Sequence, residues 1–241
     1  MAENLLTLTG VHTHIGHYHI LQGVDFAVPR GELTMLLGRN GAGKTTALRT
    51  ILGLWRASAG SVRFESGDIT RRNTPEIANL GIAYVPESMG IFAGLTVQEN
   101  LVLAARRGPP AEDRLERIFR FFPPMKSFWQ LPAGLLSGGQ KQMLAISRAI
   151  VEPRKLILID EPTKGLAPAI INNLIEAFAE LKKTDTTILM VEQNFHAARS
   201  LGDSVAVMDA GRIVHGGRMA DLAADVALQT HLLGLSLEAH Q

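Results

Sequence analysis

A lysine and a hydroxyl set behind closely spaced glycines can hold a polyphosphate, and an acidic pair at the end of an apolar run can place a metal and a water against it. Both arrangements occur in this chain. Gly38 and Gly43 enclose Arg39, Asn40, Gly41 and Ala42, and Lys44, Thr45 and Thr46 follow, directly after the apolar run Leu33 to Leu37. The spacing fits G-x-x-x-x-G-K-[ST] in a strand, loop, helix setting. Glycines let successive backbone N–H groups turn inward around a β-phosphate, where a side chain would collide. The helix starting near Lys44 adds the positive end of its dipole. Lys44 is then expected to reach the β- and γ-phosphate oxygens, the Thr45 hydroxyl to ligate a bridging Mg²⁺, and Thr46 to continue the segment into the helix.

The acidic pair is Asp160-Glu161, at the end of Leu156-Ile-Leu-Ile159. Four apolar residues in a row read as a buried parallel strand, and ligands of open α/β sheets bind at the carboxyl ends of such strands. Asp160 is expected to hold Mg²⁺ through water, and Glu161 to act as general base on the attacking water. Between the two motifs, Ser137-Gly138-Gly139-Gln140 opens an apolar-periodic segment in which Met143, Leu144, Ile146 and Ile150 recur at helical spacing. A small-residue helix start offers free N–H groups to an anion. Each motif alone also has an ordinary structural reading: a glycine turn, a helix cap, two solvated acids before Pro162. Their occurrence in this order in one chain favours the chemical reading.

The elements that must position these groups follow an α/β rhythm. Leu5 to Thr9 and the alternating Val24, Phe26, Val28 read as antiparallel edge strands closed by the turn at Pro29-Arg30-Gly31. Strand Leu33 to Leu37, helix Lys44 to Leu52, and strands Gly60 to Phe64 and Gly81 to Val85 come next. From about 88 to 150 the pattern turns helical. Thr96 to Arg106 opens with a capping box, Thr96 and Glu99, and Glu112 to Phe122 carries mixed charge. Strand Leu156 to Ile159, helix Ala169 to Lys182, strand Thr187 to Val191, helix Asn194 to Leu201 and strands Ser204 to Met208 and Arg212 to His215 complete the series. The expectation is one α/β domain over 1–241, with a core at 1–87 and 151–241, an antiparallel β subdomain, and an α-helical lobe inserted at about 88–150. The last segment, Asp221 to Gln241, is too short for a regulatory domain.

The chain has 241 residues, 46% of them hydrophobic, and a formal net charge of +1. That suffices for one large core and supplies no basic field for sequence-independent nucleic-acid binding, so no nucleic-acid partner is expected. Cysteine is absent, which rules out a disulfide framework and a thiolate metal site. No stretch approaches 18 uninterrupted apolar residues and the N-terminal residues lack a signal-peptide pattern, so a membrane role is expected to come from docking onto separate subunits.

In this order, the glycine-rich loop, L-S-G-G-Q and L-I-L-I-D-E-P resemble the ATP-binding cassette (ABC) family, and the resemblance spans nearly the whole chain. It implies a P-loop NTPase fold, the substrate ATP with Mg²⁺, and a head-to-tail pair of cassettes in which Ser137, Gly138, Gly139 and Gln140 of one subunit grip the γ-phosphate held by the other. Several positions depart from the family pattern. Glu87 stands where a glutamine usually senses Mg²⁺ and the membrane partner, and its carboxylate can still approach Mg²⁺ or the attacking water. Gln193, in Val191-Glu192-Gln193-Asn194, replaces the family's switch histidine, and can donate a hydrogen bond to phosphate without carrying a proton.

Together with Gly165-Leu166-Ala167-Pro168, these departures are similar to the LivF-type subunit of branched-chain amino acid importers. That resemblance implies a second ATPase subunit, identical or homologous, two membrane permeases, a periplasmic or extracellular solute-binding protein, and a peripheral place on the cytoplasmic face of the membrane. An importer of urea or amides and a soluble cassette protein outside transport are the alternatives. The family's adenine-stacking position falls on Ile15, with Tyr18 and His14 nearby. His12, His14, His17 and His19 read as solvated edge-strand histidines rather than a metal site, and Trp55 and Trp129 as packing residues.

Overall fold

The computed structural model of the protein describes residues 3–105, 108–184 and 186–234. Two sheets share the chain. β1 (Asn4–Ile15) and β2 (Tyr18–Pro29) form a long antiparallel hairpin, and after β3 (Leu33–Leu37) and α1 (Lys44–Ile51) the chain adds β4 (Ala57–Phe64) and β5 (Gly67–Asp68) to it. The strand order is β2-β1-β4-β5. β1 and β2 run further than the apolar alternation indicates, because bulges at Leu8/Val11 and Thr13/His14 absorb the breaks in pattern. His12 and His14 therefore lie on an inner strand, which corrects their expected place on an edge.

The chain then forms α2 (Thr74–Asn79) and β6 (Ile82–Val85), followed by four helices: α3 (Val97–Ala104), α4 (Glu112–Phe121), α5 (Pro124–Ser127) and α6 (Gly138–Ile150). The expected end of the first of these at Arg106 lies outside the described residues. β7 (Leu156–Asp160), α7 (Pro168–Lys182), β8 (Thr187–Val191), α8 (Phe195–Leu201), β9 (Ser204–Asp209) and β10 (Arg212–Arg218) restore the α/β rhythm, and α9 (Met219–Ala224) and α10 (Val226–Leu233) follow. Residues 235–241 of the last expected segment lie outside the description.

The second sheet has the order β10-β9-β3-β8-β7-β6. It is parallel from β9 to β6, with β10 antiparallel at the edge. Both of its faces are dry. Leu33, Met35, Leu37, Ile157, Ile159, Ile188 and Met190 point into a core shared with the helices, and Leu36, Leu156, Leu158, Leu189 and Val191 into one shared with α1 and the antiparallel sheet. This two-sided burial is why these strands are mostly apolar instead of alternating, with Thr34 and Thr187 as buried exceptions, and each fully buried Leu or Ile contributes about 1.5–3 kcal/mol relative to exposure.

The helical stretch is anchored by a polar group. Thr96 caps α3 through the expected box, its hydroxyl accepting from Glu99 N while the Glu99 carboxylate accepts from Thr96 N. Asn100, fully buried, accepts from Phe92 N (2.9 Å) and donates to the carbonyls of Phe92 (3.0 Å) and Thr96 (2.9 Å). It thereby fixes the loop between β6 and α3. Asn100→Ala removes the acceptor of the Phe92 amide and leaves a gap at a buried position, while the Phe92 and Thr96 carbonyls keep the amides of Leu95 and Asn100, and is expected to lower stability by about 1–3 kcal/mol in urea denaturation. A loss below about 0.5 kcal/mol would mean that water replaces the side chain.

Candidate functional site

The segment 38–43 turns sharply because it cannot do otherwise. Gly38, Gly41 and Gly43 have φ of 146°, 81° and 108°, and a Cβ on Gly38 would lie 2.1 Å from the carbonyl oxygen of Met208 on β9. Only glycine fits there. The turn wraps Lys44, which is 4% exposed. Its ammonium donates to the carbonyls of Gly38 (2.8 Å) and Arg39 (3.1 Å) and lies 3.9 Å from Glu161 Oε1. Burial pulls the lysine's proton affinity below its ordinary value even though Glu161, Asp160 and Glu192 act to raise it. A buried cation that its neighbours leave short of compensation suits an anionic ligand.

The acidic pair sits where the sheet predicts. Asp160 ends β7, is 1% exposed, and accepts from the Thr45 hydroxyl (3.1 Å) and the Tyr84 phenol (3.2 Å). Of the three residues expected to serve Mg²⁺, Thr45 and Asp160 are thus in contact and Glu87 stands apart on the cavity wall, and a hydroxyl beside a carboxylate is a donor set suited to that hard cation. Burial and the neighbouring Asp160 charge push the Tyr84 phenol up to about 12. Glu161 follows with φ 48°, a left-handed conformation for a residue that is not glycine. Strained backbone of this kind persists only where its surroundings fix it. Its amide donates to the carbonyl of Val191 (2.9 Å), Gln193 Nε2 donates to its Oε1 (2.5 Å), and Lys164 lies 3.3 Å from its Oε2. Gln193, expected to meet phosphate, here donates to the Glu161 carboxylate.

A cavity of about 300 Å³ joins these groups, lined by Ile20, residues 40–46, Glu87, Glu161 and Lys164. Ile15, Tyr18 and His14 do not line it, and Tyr18 is 76% exposed. His14 and His19 stack with centroids 4.2 Å apart, and among the described residues no group of three or more His, Cys, Asp or Glu could hold a metal ion. Arg39 and Asn40 are exposed at the mouth of the loop, and Thr46 is half-buried in α1.

Ser137 to Gln140 lie elsewhere and do not line this cavity. There Ser137 caps α6 through a reciprocal box with Gln140, whose Oε1 accepts from Ser137 N (2.9 Å). Gly138 is exposed, whereas a Cβ on Gly139 would meet Ile170 of α7 at 2.6 Å. Packing therefore requires the glycine at 139, whereas a Cβ on Gly138 would meet only Leu166 at 3.9 Å.

The model of the ABC transporter family matches residues 21–164, which contain all three motifs. The chain belongs to the ABC transporter family. It is 36% identical to the high-affinity branched-chain amino acid transport ATP-binding protein BraG of Pseudomonas aeruginosa, over 95% of this chain and 100% of the relative. It is likewise 36% identical to the probable branched-chain amino acid transport ATP-binding protein LivF of Archaeoglobus fulgidus, over 85% and 88%. Among solved structures it resembles an ATP-binding cassette of an ABC transporter in its ADP conformation, with a TM-score of 0.82, 28% identity and coverage of 97% and 100%. The expected fold, an ATPase core with an antiparallel sheet and a helical stretch, is the fold of these cassettes. No helix among the described residues is long and apolar enough to cross a membrane.

Motif reading missed three contributors. Tyr84 and Lys164 reach the acids from positions that no spacing rule singles out. Glu192, 2% exposed, accepts from the amides of Thr163 (3.1 Å), Gln193 (3.0 Å) and Asn194 (3.1 Å), tying the loops after β7 and β8 together. Burial pushes its carboxyl up against these donors.

The site carries a stability cost that can be measured. Burial raises the proton affinity of Asp160, with Glu161 and Glu87 adding to it and the Thr45 and Tyr84 hydrogen bonds opposing. A carboxyl that binds its proton more tightly in the folded chain makes that state less stable as pH rises through and above the ordinary carboxylate range, so ionised Asp160 costs stability at neutral pH. Asp160→Asn, in chelator without nucleotide, is therefore expected to melt about 2–4 °C higher. An unchanged or lower Tm would mean that the two hydrogen bonds outweigh burial.

Proposed function

We propose that this protein is the ATP-binding and ATP-hydrolysing subunit of an importer for branched-chain or similarly hydrophobic amino acids. The observation that supports it most is the convergence of Lys44, Thr45, Asp160 and Glu161 at the carboxyl edge of one sheet, in a chain similar over its length to BraG. The amides of the glycine loop and the Lys44 ammonium bind the β- and γ-phosphates of ATP. Thr45 and Asp160 would hold Mg²⁺, which would supply charge neutralisation at the phosphates, and Glu87 lines the same cavity as Thr45. Glu161, aimed by Gln193, takes the proton from the attacking water. The chain acts as a single nucleotide-binding domain that pairs with a second such subunit, so that Ser137, Gly138, Gly139 and Gln140 complete the partner's site with the start of α6. No nucleic acid takes part.

Coupling to two membrane permeases runs through the loop after β6, at the cytoplasmic face of the membrane. Phe92 is 49% exposed, with the Arg148 guanidinium 4.9 Å from its ring centroid. Beside it, a cavity of about 500 Å³ is lined by Met89, Leu103, Ala104 and Arg148 among others. An apolar anchor beside such a groove suits a short helix of a membrane partner.

Two measurements bear on this. Glu161→Gln is expected to slow ATP hydrolysis at least about a hundredfold with nucleotide affinity retained, and hydrolysis near the wild-type rate would remove Glu161 from the reaction. Phe92→Asp is expected to weaken association with the permease at least about thirtyfold while the isolated chain melts as the wild type does. Unchanged co-purification with the permease would count against docking at this loop.

A further inference from the structure

Glu87 places a second carboxylate on the cavity that holds the glycine loop, where an anionic ligand must fit. Its partner is Lys164, whose ammonium donates to Glu87 Oε1 at 2.6 Å and lies 3.3 Å from Glu161 Oε2. The two carboxylates leave the ends of adjacent strands, with Val85 paired to Ile159, and Lys164 spans them. Its backbone is held by two successive amides. Lys164 N donates to the carbonyl of Glu161 (3.2 Å), and the preceding amide of Thr163 donates to buried Glu192. Lys164 is 55% exposed and Glu87 46%, and pairs so open to solvent add little to stability. What the pair changes is the charge seen from the cavity.

We propose that Lys164 is a positioning residue for the nucleotide, the counter-ion that neutralises Glu87 so that the terminal phosphate can be accepted beside a carboxylate. The inference rests on the nucleotide-site reading above. A solvent-exposed lysine carries its charge throughout the working pH range, so the cation is always present. Without it, Glu87 faces the phosphates as a bare anion, and the repulsion falls most on a ligand carrying a γ-phosphate.

The test is a double-mutant cycle on the full-length chain, with dissociation constants measured by calorimetry for a slowly hydrolysed ATP analogue and for ADP. Lys164→Ala is expected to weaken the ATP analogue roughly tenfold and ADP less than about twofold. In a Glu87→Gln background the same substitution is expected to change either by less than about twofold, and Lys164→Arg to bind as the wild type does. Equal losses in both backgrounds, equal losses for ATP analogue and ADP, or no loss at all would each overturn the proposal. Lys164→Gln, which keeps the length of the side chain, replaces the alanine variant should the latter melt lower. If the wild-type chain binds neither nucleotide, the nucleotide-site reading fails first; if it binds both and the cycle shows no coupling, only the role of Lys164 fails.

Discussion

A lysine ammonium taken out of water must be surrounded by oxygen, and the 4% exposure of Lys44 imposes that demand on the whole molecule. An unpaired buried charge costs several kcal/mol. The glycine loop meets part of the demand by folding back until the carbonyls of Gly38 and Arg39 face the ammonium, which is possible only at φ values that glycine tolerates. Carboxylates from other strands meet more of it: Glu161 directly, Asp160 and Glu192 at longer range. Those acids are in turn buried and hydrogen-bonded, and the demand passes outward through Thr45, Tyr84, Thr163 and Gln193.

Strand order makes this convergence possible without long loops. β3, β8, β7 and β6 are consecutive in the sheet and parallel, so the glycine loop, Glu192, Asp160-Glu161 and Glu87 all emerge at one edge, roughly 4.8 Å apart per strand. The sheet is covered on both faces, which leaves its carboxyl edge as the place where polar chemistry can be gathered. The same packing supports the strain at Glu161, whose amide is bonded to Val191 of β8 and whose carboxylate is held from both oxygens.

What could be read from the sequence was local. The glycine loop, the capped helix starts at Thr96 and Ser137, and the apolar strands with their acidic end are encoded by neighbours within a few residues, and the structure forms each of them. Boundaries shifted where a long-range partner extends an element: β1 continues past Thr9 because β2 and β4 supply ladders on both sides. α2 escaped notice although Asn73 and Glu76 form a capping box, since six residues with one buried side chain carry almost no periodicity. Around the site, Lys164 and Glu192 were invisible for a different reason. Each acts on groups from another part of the chain, Glu87 lying 77 residues before Lys164 and Thr163 lying 29 before Glu192, and no spacing rule encodes such pairs. Ile20 in the cavity wall, in place of the aromatic position sought at Ile15, belongs with them.

The two glycine-rich elements, 38–43 and 137–140, do not meet within one chain, and the reason is mechanical. Ser137 is locked to Gln140 by a reciprocal cap, and Gly139 is pressed against Ile170 so closely that a methyl group would not fit. That helix start is consequently rigid, with Gly138 exposed and directed at no group of its own cavity. The glycine loop is equally fixed by the Gly38 contact with Met208. Two elements so fixed on one body do not close on a single phosphate chain by loop movement, which is why the proposed function pairs the chain head to tail with a second subunit. The turn after Glu161, bearing Lys164 and tied through Glu192 to the Gln193 loop, connects Glu161 to the loop after β8, so a shift of the turn is felt at Glu161 and Gln193 together.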